Sequence, residues 1–132
     1  MLSRESPPEL SVFLAPLDWR PDPRTSLQPD VLVVHNKNLS VKPLAEPLIL
    51  AVEVLSPSTR RLDLVEKRAK YEAAGVASYW VLDPDVPSVL ALDLVGGRYQ
   101  VAGAAEGEES VELARPFPVT VRPSALLEPY NW

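Results

Sequence analysis

The sequence predicts an α/β domain with a mixed β-sheet core and one clear crossover helix, and three observations carry that expectation. The run from Leu48 to Leu55, LILAVEVL, is apolar on both of its alternating faces apart from Glu53, as in a central strand covered on both sides. Past a Ser-Pro-Ser-Thr turn, helical spacing continues as far as Gly75. A second β-rich run, SYWVL from Ser78 to Leu82, follows at once, so the helix joins two strands in the manner of a crossover.

The elements follow in order. Residues 1–10 are polar and Pro-rich and are expected to be poorly ordered, leaving residues 11–132 as a single domain. Ser11 to Leu17 is a strand. The stretch DWRPDPRTSLQPD has three prolines after its tryptophan and reads as a turn or irregular excursion. Val31 to Val34 is four apolar β-formers entered through Pro29-Asp30, again a strand. After the loop HNKNLSVKPLAEP comes the central strand. Ser58 or Thr59 suits a helix N-cap, and Gly75 suits a left-handed C-terminal stop, giving a helix over about Arg60 to Ala74. At 100° per residue Leu62, Val65, Ala69 and Ala73 form one apolar stripe, expected to face the sheet, while Leu64, Lys67 and Tyr71 share a different, half-apolar side. Ser88 to Leu94, Gly96-Gly97 and Arg98 to Val101 read as a hairpin. AAEGEES is an acidic loop, Val111 to Leu113 and Val119 to Val121 are short edge strands, and PSALLEPYNW holds one helical turn.

Composition narrows the chemistry. A chain of 132 residues is long enough for one core. Its 15 prolines mark turns and edges, and the absence of cysteine removes disulfides, thiol nucleophiles and thiolate metal sites. That is compatible with the cytoplasm, and no apolar run approaches the roughly 18 residues of a membrane helix. A net charge of −5 argues against a broadly basic nucleic-acid binder. Charge is uneven, however: Arg60, Arg61, Lys67, Arg68 and Lys70 cluster within eleven residues, a pattern most often seen on a solvated helix face. The one histidine, His35, follows a strand with no nucleophile elbow nearby, which disfavours a Ser-His-Asp triad. Any metal would be held by oxygen, which favours Mg²⁺ or Mn²⁺.

Two carboxylates stand where such a site would form. Asp30 lies at the mouth of one strand and Glu53 within the buried one, and an isolated buried charge is very costly. If the two meet, they raise each other's proton affinity unless a cation compensates. The plainer alternatives are that Pro29-Asp30 is a turn and that Glu53 pairs with Arg60 or Arg61. Lys67 is similarly double-valued. Four residues after Asp63, it could be an ordinary surface ion pair, or it could stabilise charge on a phosphate beside a metal-bound water.

Pro29-Asp30, Glu53 in AVEVLSPST, then Asp63, Lys67 and Tyr71 in DLVEKRAKY, then GVASYWVLDPD, together resemble the Uma-type family of bacterial restriction endonuclease-like proteins, within the PD-(D/E)XK nuclease superfamily. The resemblance covers about residues 12 to 125. It implies a restriction-endonuclease-like mixed β-sheet core in which Asp30 and Glu53 are the acidic metal ligands. The lysine usual two residues after the second acid is replaced here by Leu55, and the resemblance maps its role to Lys67 on the following helix. Members usually begin with a further helical segment that has no counterpart before Ser11, so the chain looks short at its amino terminus.

The resemblance thus implies a Mg²⁺- or Mn²⁺-dependent endonuclease hydrolysing DNA phosphodiester bonds. Asp30, Glu53 and Lys67 would be its catalytic residues, and Ser56, Ser58, Arg60 and Arg61 its backbone contacts at the rim. DNA would be the partner, a homodimer the assembly and the cytoplasm the compartment. The rival reading is a catalytically incomplete nuclease-fold module that binds nucleic acid or protein. A third is a β-rich structural domain with no site.

Overall fold

A computed structural model of the chain describes residues 2–14, 19–22, 25–27, 29–36, 48–55 and 62–126. Two layers of apolar side chains are separated by a six-stranded sheet. Its strands are β1 (Leu10–Leu14), β4 (Val31–His35), β5 (Leu50–Val54), β6 (Ser78–Asp83), β7 (Ser88–Val95) and β8 (Arg98–Glu106), in that spatial order. A short hairpin of β2 (Trp19–Asp22) and β3 (Thr25–Leu27) stands between β1 and β4 in the chain. Neighbouring strands of the large sheet run antiparallel except β5 and β6, which are parallel and joined through helix α2 (Leu62–Ala73). The mixed sheet and its crossover helix are those that the sequence predicts.

Strand β5 shows why. Leu50 and Val52 enter one apolar cluster with Val31, Val33, Trp80 and Leu82, while Ala51 enters the other with Leu32, Val34, Tyr79 and Leu92. Both faces are covered, so the run reads as continuous apolarity rather than alternation. The first cluster is closed by β9 (Val111–Leu113) and β10 (Val119–Val121), which pair as a two-stranded sheet of their own, rather than as edges of the large one. Helix α3 (Pro123–Leu126) follows them. The approach of β9 to β8 is close: a methyl group placed on Gly103 would lie 2.6 Å from Val111 Cγ2 and 3.1 Å from Leu113 Cδ2.

Three further sequence expectations meet a different arrangement. Residues 1–10 promise poor order, whereas residues 2–5 form one turn of helix, α1 (Leu2–Glu5), with Leu2 fully buried in the first cluster. The one leucine of α1, among polar residues, carries no periodicity to announce it, yet burying it contributes about 1.5 to 3 kcal/mol. The loop expected at AAEGEES is strand through Glu106, and the turn comes after it at Gly107. The third correction concerns α2. Val65 is 69% exposed, and Ala69 and Ala73 also face solvent, whereas Leu64, Tyr71 and Ala74 belong to the second apolar cluster. The helix is rotated so that its half-apolar side, the one bearing Lys67, meets the sheet.

The end of α2 explains that rotation. Gly75 adopts a φ of +79°, the Gly75 N–H donates to Glu72 O at 3.1 Å and the Val76 N–H donates to Tyr71 O at 3.1 Å. These paired bonds are a Schellman cap, and they lock Tyr71 and Val76 together, both fully buried. Tyr99 braces the same end: its hydroxyl donates to Val76 O at 2.8 Å, and its N–H donates to Glu72 Oε2 at 2.8 Å.

Candidate functional site

Asp30 and Glu53 are brought together by the antiparallel register of β4 and β5. Val31 faces Val52, so one step outward places Asp30 opposite Glu53, with both side chains on the face that α2 covers. Asp30 extends the ladder with both its main chain and its side chain. Its N–H donates to Val52 O at 2.9 Å, and its Oδ2 accepts the Val54 N–H at 2.7 Å. Here a carboxylate stands in for a strand carbonyl, which fixes its orientation.

Glu53 is 5% exposed and is met from above by two residues of α2, one helical turn apart. Lys67 Nζ lies 3.3 Å from its Oε2, and the Tyr71 hydroxyl donates to its Oε1 at 2.5 Å. Burial raises the proton affinity of Glu53 above the usual carboxylate range, and the neighbouring Asp30 adds to that, while the Tyr71 hydrogen bond and the Lys67 charge work the other way. The net direction is upward. The Tyr71 hydroxyl is itself made harder to ionise, first by burial and then by the Glu53 charge, so it acts as a fixed donor.

Asp30 therefore faces Glu53 across adjacent strands and Lys67 reaches Glu53 from the helix, and the ion-pair partner of Glu53 among the described residues is Lys67. Arg60 and Arg61, the alternative partners, lie outside the described residues, as do Ser56 and Ser58 of the expected rim and the Ser58 or Thr59 cap. Lys67 keeps 28% of its side chain exposed. Beside the site, a cavity of about 260 Å³ is lined by Leu55, Val81, Asp83, Ser88 and Leu90 among others. It begins at Val81, which faces Glu53 across the β5–β6 pairing.

The donors present are two carboxylates, hard oxygen ligands. Among the described residues no group of three or more acidic, histidine or cysteine side chains stands ready to enclose a cation. Two carboxylates suit Mg²⁺, which commonly keeps several of its waters and binds through one or two carboxylates and substrate phosphate. Asp30 and Glu53 fit that pattern.

Sequence reasoning saw Tyr71 as a neighbour of Lys67 and missed its bond to Glu53. The available signal was the spacing: four residues after Lys67, Tyr71 shares its helix face, and so faces whatever Lys67 faces.

Comparison with known proteins agrees with this architecture. The fold is similar to that of a protein from Anabaena variabilis described as "a putative nuclease belonging to DUF820", with a TM-score of 0.64 and 17% sequence identity over 88% of this chain and 66% of that one. The chain thus spans just under two thirds of that protein's length, and at this identity the likeness concerns the fold. A search among curated proteins gives no match. A family model described as "Putative restriction endonuclease" matches residues 3–126. That match runs through the strand pair carrying the two acids, the helix above them and both small sheets, and on it the chain belongs to the Uma2 family.

Proposed function

We propose that the protein is a Mg²⁺- or Mn²⁺-dependent endonuclease that hydrolyses phosphodiester bonds in DNA, with Asp30, Glu53 and Lys67 as its catalytic residues. Its family and fold are nuclease-like. The observation that supports the finer reading is the meeting of two acids from adjacent strands with one lysine from the crossover helix. Asp30 and Glu53 would hold the cation. When bound, it supplies Lewis-acid activation of a water and charge neutralisation at the phosphate.

The chain's own residues do the rest. Asp30, pinned through Oδ2 to the Val54 N–H, presents its charge in one orientation. Lys67 places a positive charge at the edge of the site, where it stabilises negative charge developing on the phosphate or helps deprotonate the attacking water. Ser56, Ser58, Arg60 and Arg61 would contact the DNA backbone at the rim. Action in the cytoplasm as a homodimer built along a sheet edge belongs to the same proposal.

Plasmid nicking is the test. Wild-type protein with Mg²⁺ or Mn²⁺ should cleave, and Asp30→Ala and Glu53→Ala should reduce cleavage to background. Asp30→Asn should be equally inactive yet as well folded as wild type, because its amide oxygen still accepts the Val54 N–H. Asp30→Ala should lose about 1 to 3 kcal/mol in urea melts, the cost of an unsatisfied part-buried donor. Plasmid left intact by folded wild-type protein overturns the proposal.

One observation favours the non-catalytic module. Lys67 already pairs with Glu53 at 3.3 Å and so supplies part of the positive charge that a cation would bring. Under that reading millimolar Mn²⁺ gives no heat in calorimetry and no rise in Tm, since a ligand that binds only the folded form must stabilise it.

A further inference from the structure

Three features of Tyr71 set it apart from a tyrosine that merely fills space. It is fully buried, yet its hydroxyl is directed at a carboxylate, Glu53 Oε1, at 2.5 Å. Its backbone is fixed by the Schellman cap through the Val76 N–H. Its ring packs tilted against Tyr79, at 5.0 Å between centroids, and Tyr79 in turn lies 5.8 Å from Tyr99, which is tied to Val76 O by its own hydroxyl. The phenol has no room to swing, because its main chain, ring and hydroxyl are each held by a different neighbour.

We infer that Tyr71 is a positioning residue for the candidate metal carboxylate: its hydroxyl claims one oxygen of Glu53, so that the other, beside Lys67 and opposite Asp30, is the one offered to a divalent cation. This rests on the proposed metal role of Asp30 and Glu53. A carboxylate at the end of a flexible side chain has two oxygens and several rotamers, and a rigid donor on one oxygen removes most of that freedom before any cation arrives. Outer-shell hydrogen bonds of this kind orient ligands, and their loss commonly weakens metal affinity 10- to 100-fold. The hydroxyl must reach Glu53 from α2, which accounts for the helix turning its half-apolar side, and not its alanine stripe, toward the sheet.

The test compares two single-oxygen deletions in one aromatic column. Tyr71→Phe removes the donor to Glu53, and Tyr99→Phe removes the donor to Val76 O, with both rings retained. Mn²⁺ affinity of the full-length proteins is measured by isothermal titration calorimetry, and Tm without metal is measured for each. The expected result is Mn²⁺ binding weakened about 10-fold or more in Tyr71→Phe and unchanged in Tyr99→Phe, with both variants folded and both Tm values lowered. If Tyr71→Phe binds Mn²⁺ as wild type does, or if Tyr99→Phe weakens binding equally, the positioning role is overturned while the nuclease proposal stands. If wild-type protein takes up no Mn²⁺, both fall together.

Discussion

Glu53 is a carboxylate held in a place that favours its neutral form, and this has a consequence for stability. Its proton affinity is raised chiefly by burial, so the folded chain binds this proton more tightly than the unfolded chain. The contribution is therefore fully present below the unfolded value near 4.5 and is lost as pH rises through the higher folded value. Glu53→Gln removes the ionisation while keeping an oxygen for the Tyr71 hydroxyl. Urea melts at stepped pH should show the variant gaining on wild type as pH climbs from 4 toward neutrality; a constant difference across that range would refute the assignment. What sequence could say at this scale was that Glu53 needed company and that Asp30 would be near if their two strands were neighbours, because strand alternation fixes facing. It could not say that Lys67 would reach Glu53. That contact depends on how far the helix is rotated about its axis, a quantity no single residue encodes.

Helix α2 is where local pattern and tertiary packing diverged. Counting apolar residues favours Leu62, Val65, Ala69 and Ala73, but alanines bury little area, whereas one tyrosine ring buries 150 Å² or more. Tyr71 outweighs the stripe, and the lysine on its side can bury its stem while its charge meets Glu53. Two substitutions separate the faces. Leu64→Ala, on the buried side, should cost roughly 1 to 3 kcal/mol, less than a fully enclosed leucine. Val65→Lys, on the exposed side, should fall within about 0.5 kcal/mol of wild type. Chemical denaturation of both decides, and the reverse ranking would mean that the helix sits the other way round. The stop signal, by contrast, was legible in one letter, because Gly75 supplies the left-handed residue a Schellman cap requires.

For the molecule as a whole, the sheet was readable because its central strands are apolar throughout and the segment between them is helical. Its second layer was not. Leu2 and the β9–β10 pair close the first cluster from opposite ends of the chain, and contacts between distant segments leave no periodic trace. Leu2→Ala should accordingly lower stability by about 2 to 5 kcal/mol, read as a fall in the urea midpoint, despite its place beside the terminus. The crossing of β9 over Gly103 carries a further consequence. Gly75 is glycine for its backbone angle, a left-handed φ at which any side chain is strained even though the space around it is open. Gly103 is glycine for want of volume, since even one methyl would meet Val111 at 2.6 Å. Any larger residue there forces Val111, and to a lesser degree Leu113 at 3.1 Å, to give way, so changes at 103 are best made together with a smaller residue at 111 when this scaffold is re-engineered.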